Sequence, residues 1–136
     1  MLSTNAENPV SLMARRILLI DDEERLREVI QTCLEVMGDW EVITAGTAAE
    51  GLLKAETERP DAILLDVMMP EMDGITLFGY LQQNPATQSI PVILLTAKMQ
   101  PVDRLQFEKL GVAGVIAKPF DAVTLADRVA ELLNFS

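Results

Sequence analysis

The sequence predicts an α/β fold: a doubly wound, five-stranded parallel sheet with strand order 2-1-3-4-5. Three observations predict it. Five short apolar runs are continuous rather than alternating, the mark of strands covered on both faces. Segments with apolar residues at helical spacing lie between them, as parallel strands require crossover helices. The strand–helix units follow one another through residues 15–134 with no long interruption.

Ile17, Leu18, Leu19 and Ile20 form the first run. Leu26, Val29, Ile30, Cys33, Leu34 and Met37 then recur along one helix face, and Gly38 supplies a stop. Cys33, on that stripe, reads as a core thiol. EVITA (41–45) is the second strand. Thr47 followed by Glu50 makes a capping box for a helix carrying Leu52 and Leu53. DAILLD (61–66), PVILLT (91–96) and GVIA (114–117) are the remaining strands, with helices expected near 74–83, 101–110 and 122–133. Residues 1–14 are expected to be a flexible extension, and 15–136 one domain.

Composition removes several classes of function. Apolar residues make up 49% of the chain, enough for a folded core. The net charge of −10 opposes non-specific contact with nucleic acid and with anionic membranes. No apolar run approaches the roughly 20 residues of a membrane span. The first 14 residues lack the basic start and apolar core of a signal peptide, and Cys33 is the only cysteine; both point to the cytoplasm. There is no histidine, which excludes Ser–His and Cys–His catalysis, histidine metal sites and any role as phosphohistidine donor. Chemistry must run on carboxylates, hydroxyls and lysines.

In a sheet of this order, ligands bind beyond the carboxyl ends of the strands, at the switch between strands one and three. Asp21 and Asp22 follow strand one, Asp66 ends strand three, Thr96 ends strand four and Lys118 follows strand five. Alone, the acidic pair would read as solvated helix caps. Gathered with Asp66, the three repel; two unit charges about 4 Å apart interact by roughly 4 kcal/mol at an effective dielectric of 20. A hard divalent cation removes that repulsion, and oxygen-only ligands suit Mg²⁺. Neutralising one acid, as in Asp22→Asn, should stabilise the metal-free chain. Thr96 and Lys118 facing the same spot suit a phosphoryl anion, and Asp66 is the candidate nucleophile.

The set LLIDDEE, LLDVMMPEMDG, LLTAK and IAKPF resembles the receiver domain of two-component response regulators, of the stand-alone chemotaxis type, over about residues 15–134. The resemblance implies that Asp66 accepts a phosphoryl group from a histidine kinase or histidine phosphotransfer protein. It implies that Asp21, Asp22, Asp66 and the backbone carbonyl of Met68 arrange Mg²⁺, that Thr96 hydrogen-bonds the phosphoryl group and that Lys118 pairs with it. It also implies a cis Lys118–Pro119 bond, and a phosphoacceptor switch rather than an enzyme with an external substrate.

Two features depart from the family pattern. Val115 stands three residues before the lysine, where many receivers carry Tyr or Phe. Met68 and Lys98, two residues beyond Asp66 and Thr96, offer no carboxylate or amide to orient an attacking water. A haloacid-dehalogenase-type phosphatase would need a second aspartate where Met68 stands. A flavodoxin-like cofactor carrier would need phosphate-binding amides where the chain has DDEE, and no Walker or dinucleotide-binding glycine pattern occurs. A docking module that kept the fold but lost the switch remains the rival reading, and the full set of acids argues against it. With the last helix ending near Leu133, a separate downstream protein is expected to receive the signal.

Overall fold

A computed structural model describes residues 15–97 and 100–133. Strands β1 (Arg15–Ile20), β2 (Trp40–Ala45), β3 (Ala62–Asp66), β4 (Val92–Thr96) and β5 (Gly114–Ala117) alternate with helices α1 (Glu24–Gly38), α2 (Ala48–Glu58), α3 (Gly74–Gln83), α4 (Pro101–Leu110) and α5 (Leu125–Leu133). All four strand pairings are parallel, and the order is β2-β1-β3-β4-β5. The expected architecture is therefore observed.

Strand pleating sorts the continuous apolar runs onto two faces. Leu18, Ile20, Ile63, Leu65, Val92 and Leu94 pack with Ala55, Leu77, Phe78 and Phe107 under α2, α3 and α4. Ile17, Leu19, Leu64, Ile93 and Leu95 pack with Ile30, Leu34, Leu125 and Val129 under α1 and α5. Full burial of each such Leu or Ile contributes about 1.5–3 kcal/mol, and both faces need it. That is why these runs do not alternate with polar residues.

Several local expectations change in detail. Gly38 is the last residue of α1, but the left-handed position belongs to Asp39, whose φ is 57°. Gly38 is instead required for packing: a Cβ there would lie 2.7 Å from the Trp40 ring and 2.9 Å from Ala126. Val29 and Met37 share the apolar stripe of α1 yet are 47% and 54% exposed, because the sheet and α5 cover only part of it. Cys33 is half-buried against the α1–α5 core, as expected of a packing thiol. Thr47 caps α2 by accepting the Glu50 amide at 3.1 Å, but Glu50 reaches back one residue further than a capping box does, to the amide of Gly46 at 2.9 Å. Helix α5 begins at Leu125 rather than 122 because Asp121 accepts the Val123 amide and holds 122–124 in a turn. Residues 1–14 and Lys98 lie outside the described residues.

Candidate functional site: an acidic cluster at the carboxyl edge of the sheet

The register sets the site. Asp66 pairs with Leu95, so Thr96 stands one residue further along the neighbouring strand, opposite Ala117. Lys118 follows directly and donates its amide to the Thr96 carbonyl at 2.9 Å. Across β1, the Asp21 amide bonds to the Ala45 carbonyl, which carries the ladder one residue past the strand's end. Asp21, Asp66 and Thr96 are buried, whereas Asp22 is exposed.

One ligand oxygen from each of Asp21, Asp22 and Asp66 falls within 4.8 Å of the others. Asp21 Oδ1 accepts the Glu23 amide at 2.8 Å, a turn that precedes α1. Glu23, the residue that enters α1, makes no side-chain cap bond, so the acids do not serve as that helix's caps. Asp21 Oδ2 is buried without a hydrogen-bond partner. The Lys118 ammonium lies 3.0 Å from Asp66 Oδ1 and 3.7 Å from Asp21 Oδ2. Burial is the main cause that pushes the Asp21 carboxyl above the ordinary carboxylate value; the Asp66 and Asp22 charges add to it, while the Glu23 amide and Lys118 oppose it. A buried, unpartnered carboxylate oxygen beside two more carboxylates is a set of hard donors, and a divalent cation fits it.

The β3–α3 loop folds tightly over this edge. Met68 donates its amide to Asp66 Oδ1 at 3.3 Å and leaves its side chain 57% exposed at the mouth. The Gly74 amide bonds the Val67 carbonyl at 2.7 Å, and a Cβ at Gly74 would sit 2.6 Å from the Asp66 carbonyl oxygen. Gly74 is thus needed for close approach to the Asp66 backbone. Asp73 caps α3 through the Thr76 amide at 2.8 Å, a cap that the sequence D-G-I-T could have signalled. The Lys118–Pro119 peptide is cis.

Comparison with known proteins agrees with this geometry. The family model described as the response regulator receiver domain matches residues 17–130. The chain belongs to that family. Among curated relatives, this receiver is 40% identical over 124 residues to the alkaline phosphatase synthesis transcriptional regulatory protein PhoP of Bacillus subtilis, covering 91% of this chain and 50% of that protein. It is 41% identical over 123 residues to the response regulator PleD of Caulobacter vibrioides, covering 90% of this chain and 27% of PleD. The receiver thus spans half or less of these two relatives. Among solved structures, the chemotaxis response regulator CheY4 of Vibrio cholerae superposes with a TM-score of 0.81 at 28% identity, over 88% of this chain and 99% of that one. The receiver domain of a signal transduction histidine kinase from Syntrophus aciditrophicus superposes at 0.77 and 36% identity, over 89% and 91%. No helix among the described residues is long and apolar enough to cross a membrane.

Proposed function

We propose that this receiver accepts a phosphoryl group on Asp66 from the phosphohistidine of a kinase or phosphotransfer protein, and that the acyl phosphate switches or relays a signal. The observation that carries the reading is the buried Asp66 carboxylate, 3.0 Å from the Lys118 ammonium and within one cluster with Asp21 and Asp22. In the transfer, an Asp66 oxygen forms a bond to phosphorus as the phosphorus–nitrogen bond to the donor imidazole breaks, and the imidazole departs carrying that electron pair. Lys118, already held between Asp66 and Asp21, pairs with the arriving negative oxygens. Thr96, buried one residue beyond Asp66's partner on β4, offers a hydroxyl to the same oxygens. The cation would be held by Asp21, Asp22, Asp66 and the Met68 carbonyl. When bound, Mg²⁺ supplies neutralisation of the charge that gathers on those oxygens.

The switch has a narrow reader. Val115 is half-buried and lines a cleft of about 310 Å³ with Arg104, Glu108 and Arg128 between α4 and α5. It has neither ring nor hydroxyl to follow Thr96 toward the added charge, so the surface change is smaller than in aromatic-bearing receivers. With a net charge of −10, the domain's readout suits a separate protein partner rather than nucleic acid. The lone Cys33 fits a cytoplasmic setting.

Incubation with acetyl phosphate and Mg²⁺, followed by intact mass, tests the assignment. One phosphoryl group should add to the parent and none to Asp66→Asn. Unchanged labelling of that variant would sink the role of Asp66.

A further inference from the structure

Asp21 is held at every polar backbone atom, and one of the holders is a side chain with no role in the reading above. Arg27, one turn into α1, turns back and donates Nη1 to the Asp21 carbonyl at 2.7 Å. Its guanidinium lies against Gly46, at the end of β2, so closely that a Cβ there would meet Nη1 at 2.9 Å and Cζ at 3.3 Å. The same corner is tied from behind. Glu50 accepts the Gly46 amide at 2.9 Å and pairs with Lys54 at 2.9 Å, and Lys54 donates to the Thr44 carbonyl at 2.7 Å. Arg27 also helps to hold the Glu50 carboxyl below its ordinary value, after the larger effects of the Gly46 amide and Lys54.

We propose that Arg27, seated on Gly46, is a positioning residue that holds the Asp21–Asp22 peptide in the orientation a divalent cation requires. This rests on reading the acidic cluster as a Mg²⁺ site. Charge and geometry predict opposite signs for the loss of Arg27. Judged by charge alone, a guanidinium beside a cation site repels the cation, and its loss should tighten binding. Judged by geometry, losing the bond frees the carbonyl that sets the direction of both carboxylates, and groups that orient metal ligands are worth roughly 10- to 100-fold in affinity. The geometric effect wins here because Asp21 Oδ2 accepts no hydrogen bond and has only the Lys118 ammonium near it, at 3.7 Å, so its direction depends on the backbone that carries it.

Mg²⁺ binding by calorimetry, together with the Mg²⁺ dependence of the melting midpoint, tests the proposal on the parent, Arg27→Gln, Gly46→Ala and the double variant. Arg27→Gln should weaken Mg²⁺ binding roughly tenfold. Gly46→Ala should weaken it in the same direction with no change in charge. Its Cβ displaces only the mobile end of Arg27, and Gly46 does not occupy the left-handed region, so this variant folds even if Arg27→Gln does not. The double variant should bind no more weakly than Arg27→Gln alone, since both changes break one contact. Equal or tighter binding in the single variants, or fully additive losses in the double one, would overturn the clamp while leaving the metal site intact. A parent that shows no Mg²⁺ heat and no midpoint shift would overturn the metal reading and the clamp with it.

Discussion

Asp21 carries a conflict that Asp22 does not. Neutralising either relieves repulsion, but Asp22 is exposed and Asp21 is buried. Asp22→Asn should still relieve part of the repulsion, and the larger stabilisation is expected of Asp21→Asn. The folded Asp21 carboxyl is raised above the ordinary value, chiefly by burial. The folded state thus keeps that proton to higher pH than the unfolded chain does. The stability linked to it is complete below the unfolded value and is lost as pH rises through the raised one. In chelator at neutral pH, Asp21→Asn should raise the melting midpoint by a few degrees, on the order of 1 kcal/mol. That gain should shrink toward zero as the pH falls below the ordinary carboxylate range. A midpoint lowered at neutral pH would mean the carboxylate is structural. If Asp66 is phosphorylated as proposed, neither Met68, exposed beside it, nor Lys98 supplies a group that accepts a proton from an attacking water. The phosphoryl group should therefore be long-lived. Met68→Asn combined with Lys98→Glu should lose it faster than the parent in radiolabel decay under excess Mg²⁺; equal or slower loss would show that these positions do not govern the rate.

At the scale of the element, α3 contains two glycines that respond in opposite directions. A Cβ at Gly79 meets nothing within 4 Å, so Gly79→Ala only reduces the entropy that folding must remove and should stabilise by about 0.5–1 kcal/mol. A Cβ at Gly74 would press on the Asp66 carbonyl at 2.6 Å and on Val67 Cα at 2.8 Å. Both are backbone atoms and cannot swing aside. Gly74→Ala should lower stability by about 1–3 kcal/mol and, on the proposed role of Asp66, slow its labelling, because the displaced atoms belong to the Asp66–Val67 backbone. Denaturant melts of the two variants, with acetyl phosphate labelling, check both signs. Helix α4 differs again. Among its described side chains only Phe107 is buried, while Val102 and Leu105 are 61% and 58% exposed. With one apolar anchor it should open at far lower free energy than the strands. Amide hydrogen exchange should be faster across 102–110 than across β1, β3 and β4; equal protection would mean that α4 opens only with the whole domain.

For the whole molecule, the sheet acts as a rigid frame whose two faces are both packed. Leu64, fully buried on the α1–α5 face, should cost about 2–5 kcal/mol when truncated to alanine. That is a large share of the 5–15 kcal/mol a domain typically has, so the midpoint of that variant should fall steeply in a thermal melt. This frame aims residues far apart in sequence at one edge: the Lys118–Asp66 pair spans 52 residues.

The chain alone determined the order of strands and helices, because burial on both faces demands continuous apolar runs and crossover helices demand a different period. It also determined the acidic site's membership, since parallel strands of this order bring their carboxyl ends together whatever the side-chain details. Three-dimensional packing decided the rest. Which of two adjacent aspartates is buried depends on how the β1–α1 turn closes, which Glu23 and Arg27 settle through contacts that have no period in the sequence. Gly46 and Gly74 look like ordinary loop glycines until a guanidinium and the Asp66 carbonyl are seen against them. Asp39, not Gly38, takes the left-handed cap, and Gly38 is required instead because Trp40 and Ala126 leave no room for a Cβ. Strand register and spacing are local and repeat along the chain, so they can be read from it; close approaches between distant segments exist only once the sheet has assembled.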